Sequence, residues 1–361
     1  MKAIQQVKDK MKYYWQVYKT DQILKLYSNQ KYDKIAQNLS TFQKYENFRL
    51  NDYNLLFLAI SEQNKEFIDV FLDKIKYKED VLIDQNNPSM FFPITFSTIN
   101  NLQDISQQLL DKGANIYQPN TNLNTLLHIS CFYGKIDAVK YCLEQNMDIN
   151  AINKDGDTPL HLAIAGKNQE VVKYLLENGA NNLIKNNQGN YPIYEAIIAG
   201  DIEVAKLLKN TLKQIKDNVY SEVHLAAQQE NYDMLDYFSD NGQIGKLQLL
   251  DKYKATPLHF AVLAKSEECI RYLLEHKVNI NAQDKNGDTP LHLAVSNKDL
   301  NSMKILTEFK ADAGLQNNEK LSPVDLCYSD RDVSLINFFR SQPQYIHLFR
   351  LGKEHEYKGL K

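Results

Sequence analysis

The chain has 361 residues, a length that at roughly 100–200 residues per domain suggests two or three ordinary domains. Its 42 Lys and Arg against 45 Asp and Glu leave a formal net charge of −3, and only five of the cations are Arg, which argues against a chain-wide phosphate-binding surface and a nucleic-acid partner. With 43% apolar and 24% charged residues the chain can bury a core.

No apolar run approaches the 18 or so residues of a membrane span, and the first residues, MKAIQQVKDK, lack the apolar stretch of a secretory signal. A soluble, cytoplasmic chain without membrane contact is the expectation. Cys131, Cys142, Cys269 and Cys327 include no C-x-x-C pair, so they read as reduced, buried thiols rather than a disulfide framework or a zinc site. Asn occurs 36 times, a skew read as the mark of an AT-rich genome, such as those of some protists and intracellular bacteria, more than of a chemical task.

In chain order, the first element is a predicted amphipathic helix over residues 1–19. Ile4, Val7, Met11, Tyr14, Trp15 and Tyr18 recur at helical spacing, with Lys2, Lys8, Lys10, Lys12 and Lys19 on the other side. It reads as a helix capping the exposed apolar surface of the first repeat unit, or as a docking helix for another protein with Trp15 as an anchor. Asp9 and the lack of a long leucine-rich face disfavour a membrane-surface helix.

Residues 20–340 then repeat. Thr158-Pro-Leu-His-Leu-Ala163, Thr256-Pro-Leu-His-Phe-Ala261 and Thr289-Pro-Leu-His-Leu-Ala294 are near copies, and Thr125-Leu-Leu-His128 is a variant. Following the His position along the chain gives Leu24, Phe57, Thr95, His128, His161, Tyr194, His224, His259, His292 and Asp325, ten units about 33 residues apart. Within one unit, Thr158 suits an N-cap, Pro159 the first helical position, and Leu160, Ala163 and Ile164 one apolar face. A second helix comes next, with Val171, Val172, Leu175 and Leu176 as its stripe, and Gly179 is a candidate left-handed cap. One helix pair cannot bury both faces, so the units must stack into a continuous core. The spacing is irregular at 74–90, which holds extra residues, and at 209–220, where the period shortens; a bent or weakened joint is expected at the latter.

After a helix closed by Val333, Leu335, Ile336, Phe338 and Phe339, Gln342-Pro343 marks a break. The tail, 341–361, carries Tyr345, Ile346, Leu348, Phe349 and Leu351 and could fold back over the last unit or be ordered by a partner.

The T-P-L-H-x-A motif at this period resembles the ankyrin repeat family, over about residues 20–340. The resemblance implies an all-α solenoid of about ten helix-turn-helix units with short β-turn fingers. It also implies that the repeated histidine bonds locally and supports the turn between units, and that proteins bind the concave side through the fingers and first helices.

No motif for nucleotide binding, zinc proteolysis, serine hydrolysis or calcium is present. Histidines one repeat apart sit on helices about 8–10 Å apart, too far to share a zinc that each must approach to about 2 Å. The expectation is no enzyme, no metal, no cofactor and no small-molecule substrate. The binding surface is sought at the fourth and fifth residues past each His position, where Ile99, Phe132, Tyr133, Ile198 and Leu263 stand out as apolar among polar neighbours. Aromatic anchors in polar surroundings resemble interface hot spots. Fingertip residues Lys154, Asp157, Lys252, Tyr253, Lys285 and Asp288 complete the candidate surface as a polar rim. The functional expectation is a protein-protein interaction scaffold, a structural subunit of a larger ciliary or cytoskeletal assembly held by its concave face and its terminal extensions. The alternative is a soluble adaptor or bacterial effector that binds one client reversibly.

Overall fold

The computed structural model describes residues 49–50, 53–54, 59–74, 93–215, 221–240, 242–329 and 332–350. The N-terminal helix expected over 1–19, Trp15, the unit at Leu24 and the extra residues of 75–90 lie outside them. The chain divides into two compact units, Met1–Gly189 and Asn190–Lys361, a boundary between the His161 and Tyr194 repeats.

Among the described residues of the first unit the first element is a two-residue antiparallel ladder, β1 (Arg49–Leu50) with β2 (Tyr53–Asn54). The helices are α1 (Lys65–Lys74), α2 (Pro93–Ile99), α3 (Gln103–Asp111), α4 (Leu126–Phe132), α5 (Ile136–Glu144), α6 (Pro159–Ala165) and α7 (Gln169–Glu177). Pairs α2/α3, α4/α5 and α6/α7 are helical hairpins, and α4 packs on α6 while α5 packs on α7. Leu126, Leu127, Val139, Leu160, Ile164, Val172 and Leu175 form the core between them, all but excluded from solvent.

The second unit repeats the plan with α8 (Pro192–Ile198), α9 (Ile202–Leu208), α10 (Glu222–Gln228), α11 (Tyr232–Phe238), a short α12 (Ile244–Leu247), α13 (Pro257–Ala264), α14 (Glu267–Glu275), α15 (Pro290–Ser296), α16 (Leu300–Glu308), α17 (Pro323–Ser329) and α18 (Val333–Arg340). First helices stack in the order α8, α10, α13, α15, α17. The shortened stretch after α9 winds into a 3-10 helix, Lys209–Lys213, whose Thr211 is buried, as is Ile215 just beyond. Asp240 then ties the two irregular segments together by accepting from both Lys209 and Lys246.

The T-P-L-H motif explains how each first helix starts. Thr158 caps α6 by accepting from the His161 N–H, and the His161 ring returns the contact to the Thr158 N–H through Nδ1 at 3.2 Å. The same reciprocal box opens α4, α10, α13 and α15. The far ring nitrogen reaches the next repeat: Nε2 lies 3.1 Å from the Asp157 carbonyl in His128, 3.0 Å from Ala255 in His224, 3.1 Å from Asp288 in His259 and 3.0 Å from Leu321 in His292. A carbonyl only accepts and a backbone N–H only donates, so these four rings carry their proton on Nε2 and accept on Nδ1. Each is a neutral strut between two repeats.

A second strut comes from asparagine. Asn120, Asn153, Asn186, Asp251, Asp284 and Asn317 stand at the bases of successive fingers, 33 residues apart within each unit. The Oδ1 of Asn153 accepts from the N–H groups of Asp155 and Asp157, folding the finger, while its Nδ2 donates to Asn124 in the preceding one. Asn186 donates likewise to Asp157, and Asn317 to Asp288. Backbone bonds join finger to finger, Lys154 N–H to the Asn122 carbonyl and Asn187 N–H to the Asp155 carbonyl. At the second of these bonds residue 156 is glycine, where φ is +76° and a Cβ would stand 2.8 Å from the Asn187 nitrogen.

The last described residues fold back on their own repeats, and 351–361 lie outside the described residues. After Gln342 a 3-10 turn, Pro343–Tyr345, leads into α19 (Ile346–Arg350). Tyr345 is buried edge-on against Phe339 and donates to the Ala311 carbonyl, while Gln344 donates to that of Thr307. Apolar surface that would otherwise end the stack is covered by the chain itself.

Candidate functional site

Of the residues that the sequence places on the binding surface, Phe132 and Tyr133 are adjacent and exposed, by 43% and 49%. Their rings meet edge to face, 5.2 Å between centroids and 87° between planes. They close α4, with Phe132 its last residue and Tyr133 its C-cap. The helix end is locked from the next repeat: Asn168 Nδ2 donates to the Cys131 carbonyl at 2.9 Å and to the Phe132 carbonyl at 2.7 Å. Room for that amide exists because residue 166 is glycine, whose Cβ would collide with the Phe132 carbonyl oxygen and stand 2.5 Å from Asn168 Nδ2. A backbone held by a neighbouring repeat and a mutual ring contact limit how much order the pair must gain on binding. The corresponding positions of the next repeat, Ala165 and Gly166, are small.

In the second unit Ile198 ends α8 and Leu263 lies near the end of α13, exposed by 39% and 51%. Between them α10 presents exposed Gln228 and Gln229. Two apolar side chains thus flank an amide-bearing helix on the same edge of the stack.

Ile99 is a correction. It is 7% exposed and belongs to the core. In its unit α4 packs on α6, first helix on first helix, whereas α2 packs on α5, so counting from Thr95 does not carry the open edge over. Asp157 and Asp288, expected on the polar rim, instead accept from Asn186 and Asn317 inside the finger ladder. Lys154, Lys252, Tyr253 and Lys285 are exposed as expected.

The repeated histidines and the cysteines are taken up by the fold. Burial holds His128 down to about 4 and also lowers His224, His259 and His292, in keeping with rings that accept on one nitrogen and donate on the other. Burial pushes Cys131 well up, Cys142 to about 12, and Cys269 upward, so none is a thiolate near neutral pH. Cys327 is buried and donates to the Pro323 carbonyl. Among the described residues no group of three His, Cys, Asp or Glu is arranged to hold a metal, and no helix is long and apolar enough to cross a membrane.

Comparison with known proteins agrees with this architecture. The family model for ankyrin repeats matches in three copies, over residues 96–186, 127–220 and 223–317. More than half of the chain is covered, and the chain belongs to the ankyrin repeat family. Among solved structures, the ankyrin repeat domain of Bcl-3, described as a unique member of the IkappaB protein family, is 24% identical with a TM-score of 0.46, over 59% of this chain and 97% of that one. No curated protein sequence matches significantly. Repeats of this family generally mediate protein-protein interaction, and the fold is a typical non-catalytic module.

Proposed function

We propose that this chain is a non-catalytic protein-binding scaffold whose first unit engages its partner through Phe132 and Tyr133. The observation that carries this reading is the pair itself: two large aromatic side chains held open to solvent on a backbone that Asn168 fixes from the neighbouring repeat. An exposed, preorganised aromatic pair with polar neighbours has the make-up of an interface hot spot. Ile198 and Leu263 supply a second contact region on the other unit.

The scaffold is proposed to act as a structural subunit of a larger assembly, with a reversible adaptor as the second reading. At the C-terminal side Tyr345 and Gln344 bond to their own repeats, while Ile346 and His347 stay exposed and available to a neighbour in such an assembly. A ciliary or cytoskeletal setting rests on the AT-rich composition alone. The test is gentle affinity purification of the tagged chain from its native cell, wild type beside a Phe132→Ala, Tyr133→Ala variant, with mass spectrometry of what co-migrates. A fixed set of companions lost in the folded variant supports the assembly reading. Companions that exchange on dilution favour the adaptor, and companions retained by the variant remove the aromatic pair from the interface.

A further inference from the structure

The fingers of the second unit differ in chemistry from those of the first. Each finger runs from its Asx base through two tip residues to a residue of positive φ. In the first unit these stretches are Asn120-Thr-Asn-Leu123, Asn153-Lys-Asp-Gly156 and Asn186-Asn-Gln-Gly189, where the one cation stands beside an anion. In the second they are Asp251-Lys-Tyr-Lys254, Asp284-Lys-Asn-Gly287 and Asn317-Asn-Glu-Lys320. Their acids and bases face opposite ways. Asp251 Oδ1 accepts from the N–H groups of Tyr253 and Ala255, Asp284 Oδ1 from those of Asn286 and Asp288, and Asp288 Oδ1 from Asn317. The carboxylates are thereby drawn in to fold the fingers, while Lys252, Lys254, Lys285 and Lys320 are exposed at the tips, with Glu319 the one acid among them.

Tyr253, 50% exposed, stands on the first of these fingers between Lys252 and Lys254, with Lys252 Nζ 4.8 Å from its ring centroid. The three fingers are fixed to one another. Lys285 N–H donates to the Tyr253 carbonyl at 2.7 Å, Asn318 N–H to the Asn286 carbonyl at 2.9 Å, and Asn318 Nδ2 to the Lys285 carbonyl at 2.9 Å. The tip is a rigid ridge with an aromatic side chain set among cations.

We propose that this ridge binds an acidic segment of a partner protein, with lysines 252, 254, 285 and 320 meeting carboxylates and Tyr253 stacking against the peptide. The ligand is a peptide more than a nucleic acid because the ridge has one aromatic face and no Arg fork, where single-stranded nucleic acid calls for a series of stacking platforms and bidentate phosphate donors. The surface belongs to the other unit from Phe132 and Tyr133 and stands independently of them.

The test uses the full chain and fluorescence anisotropy with a labelled oligoglutamate peptide, beside an oligothymidylate of equal charge. A Lys252→Glu, Lys254→Glu, Lys285→Glu variant is expected to bind oligoglutamate about tenfold more weakly or worse, since several like charges then face the ligand. The neutral Lys252→Gln, Lys254→Gln, Lys285→Gln variant should fall between, and binding should weaken as salt rises. Circular dichroism and an unchanged urea midpoint verify that the variants fold. No oligoglutamate binding, binding untouched by charge reversal, or tighter binding of oligothymidylate would each overturn the proposal.

Discussion

Acid should weaken this fold through its repeated histidines, and His128 gives the most measurable case. Its ring is buried, with Nδ1 accepting from the Thr125 N–H at 3.2 Å and Nε2 donating to the Asp157 carbonyl at 3.1 Å. Protonation would put a second N–H on Nδ1, pointing at another donor, and would leave a cation out of water. Both effects act against the charged form, whose pKa burial lowers to about 4 from 6.5. Because the folded value lies below the unfolded one, the unfolded chain takes up the proton first. Stability is therefore complete above pH 6.5 or so, falls as pH drops through that value, and levels off only below about 4. Between pH 7 and pH 5 this single group costs about 2 kcal/mol, which shifts a urea midpoint by about 1 M. The measurement is urea unfolding at both pH values, followed by circular dichroism, for the wild type and for His128→Gln, which cannot titrate. Other titrating groups are common to both proteins, so the acid-induced loss should be about 2 kcal/mol smaller in the variant. An equal loss in the two, or an NMR titration of the His128 ring near 6.5, would refute the strut as described.

Leu160→Ala, at a side chain 1% exposed in α6, should cost about 2–5 kcal/mol in urea unfolding through the cavity left between stacked repeats. Gly156→Ala should cost more than about 1 kcal/mol in the same assay, because its backbone is left-handed and the new methyl would press on the Asn187 nitrogen. Lys277→Gly should work in the other direction: residue 277 comes after α14 at φ +57° with its side chain exposed, so glycine there should raise stability by about 0.5–1 kcal/mol.

The T-P-L-H motif made the helix starts legible in the sequence, because capping, a proline at the first helical position and the returning histidine are local chemistry encoded within four residues. The core was legible for the same reason, as an apolar stripe at helical spacing. The asparagines were not. Read as composition they suggested a genome, yet Asn120, Asn153, Asn186 and Asn317 fold and join the fingers. The signal was available in their 33-residue spacing, which a count of residues averages away. At the site, counting from the histidine found Phe132, Tyr133, Ile198 and Leu263 on the open surface and failed at Ile99, since exposure depends on which helix the neighbouring repeat sets against it. Asn168 escaped notice because its partners are carbonyls of another repeat, 36 and 37 residues away.

The most direct test of the protein-binding reading asks which surface is covered in the cell. A photo-activatable phenylalanine derivative is placed at Tyr133, an aromatic-for-aromatic exchange at one of the two proposed anchors, and in a second protein at Lys173, exposed on the second helix of the next repeat. After illumination of the native cells and mass spectrometry, position 133 should yield a reproducible cross-link to a distinct protein and position 173 none. Cross-links from 173 with none from 133 would contradict the account and move the interface to the opposite helices of the stack.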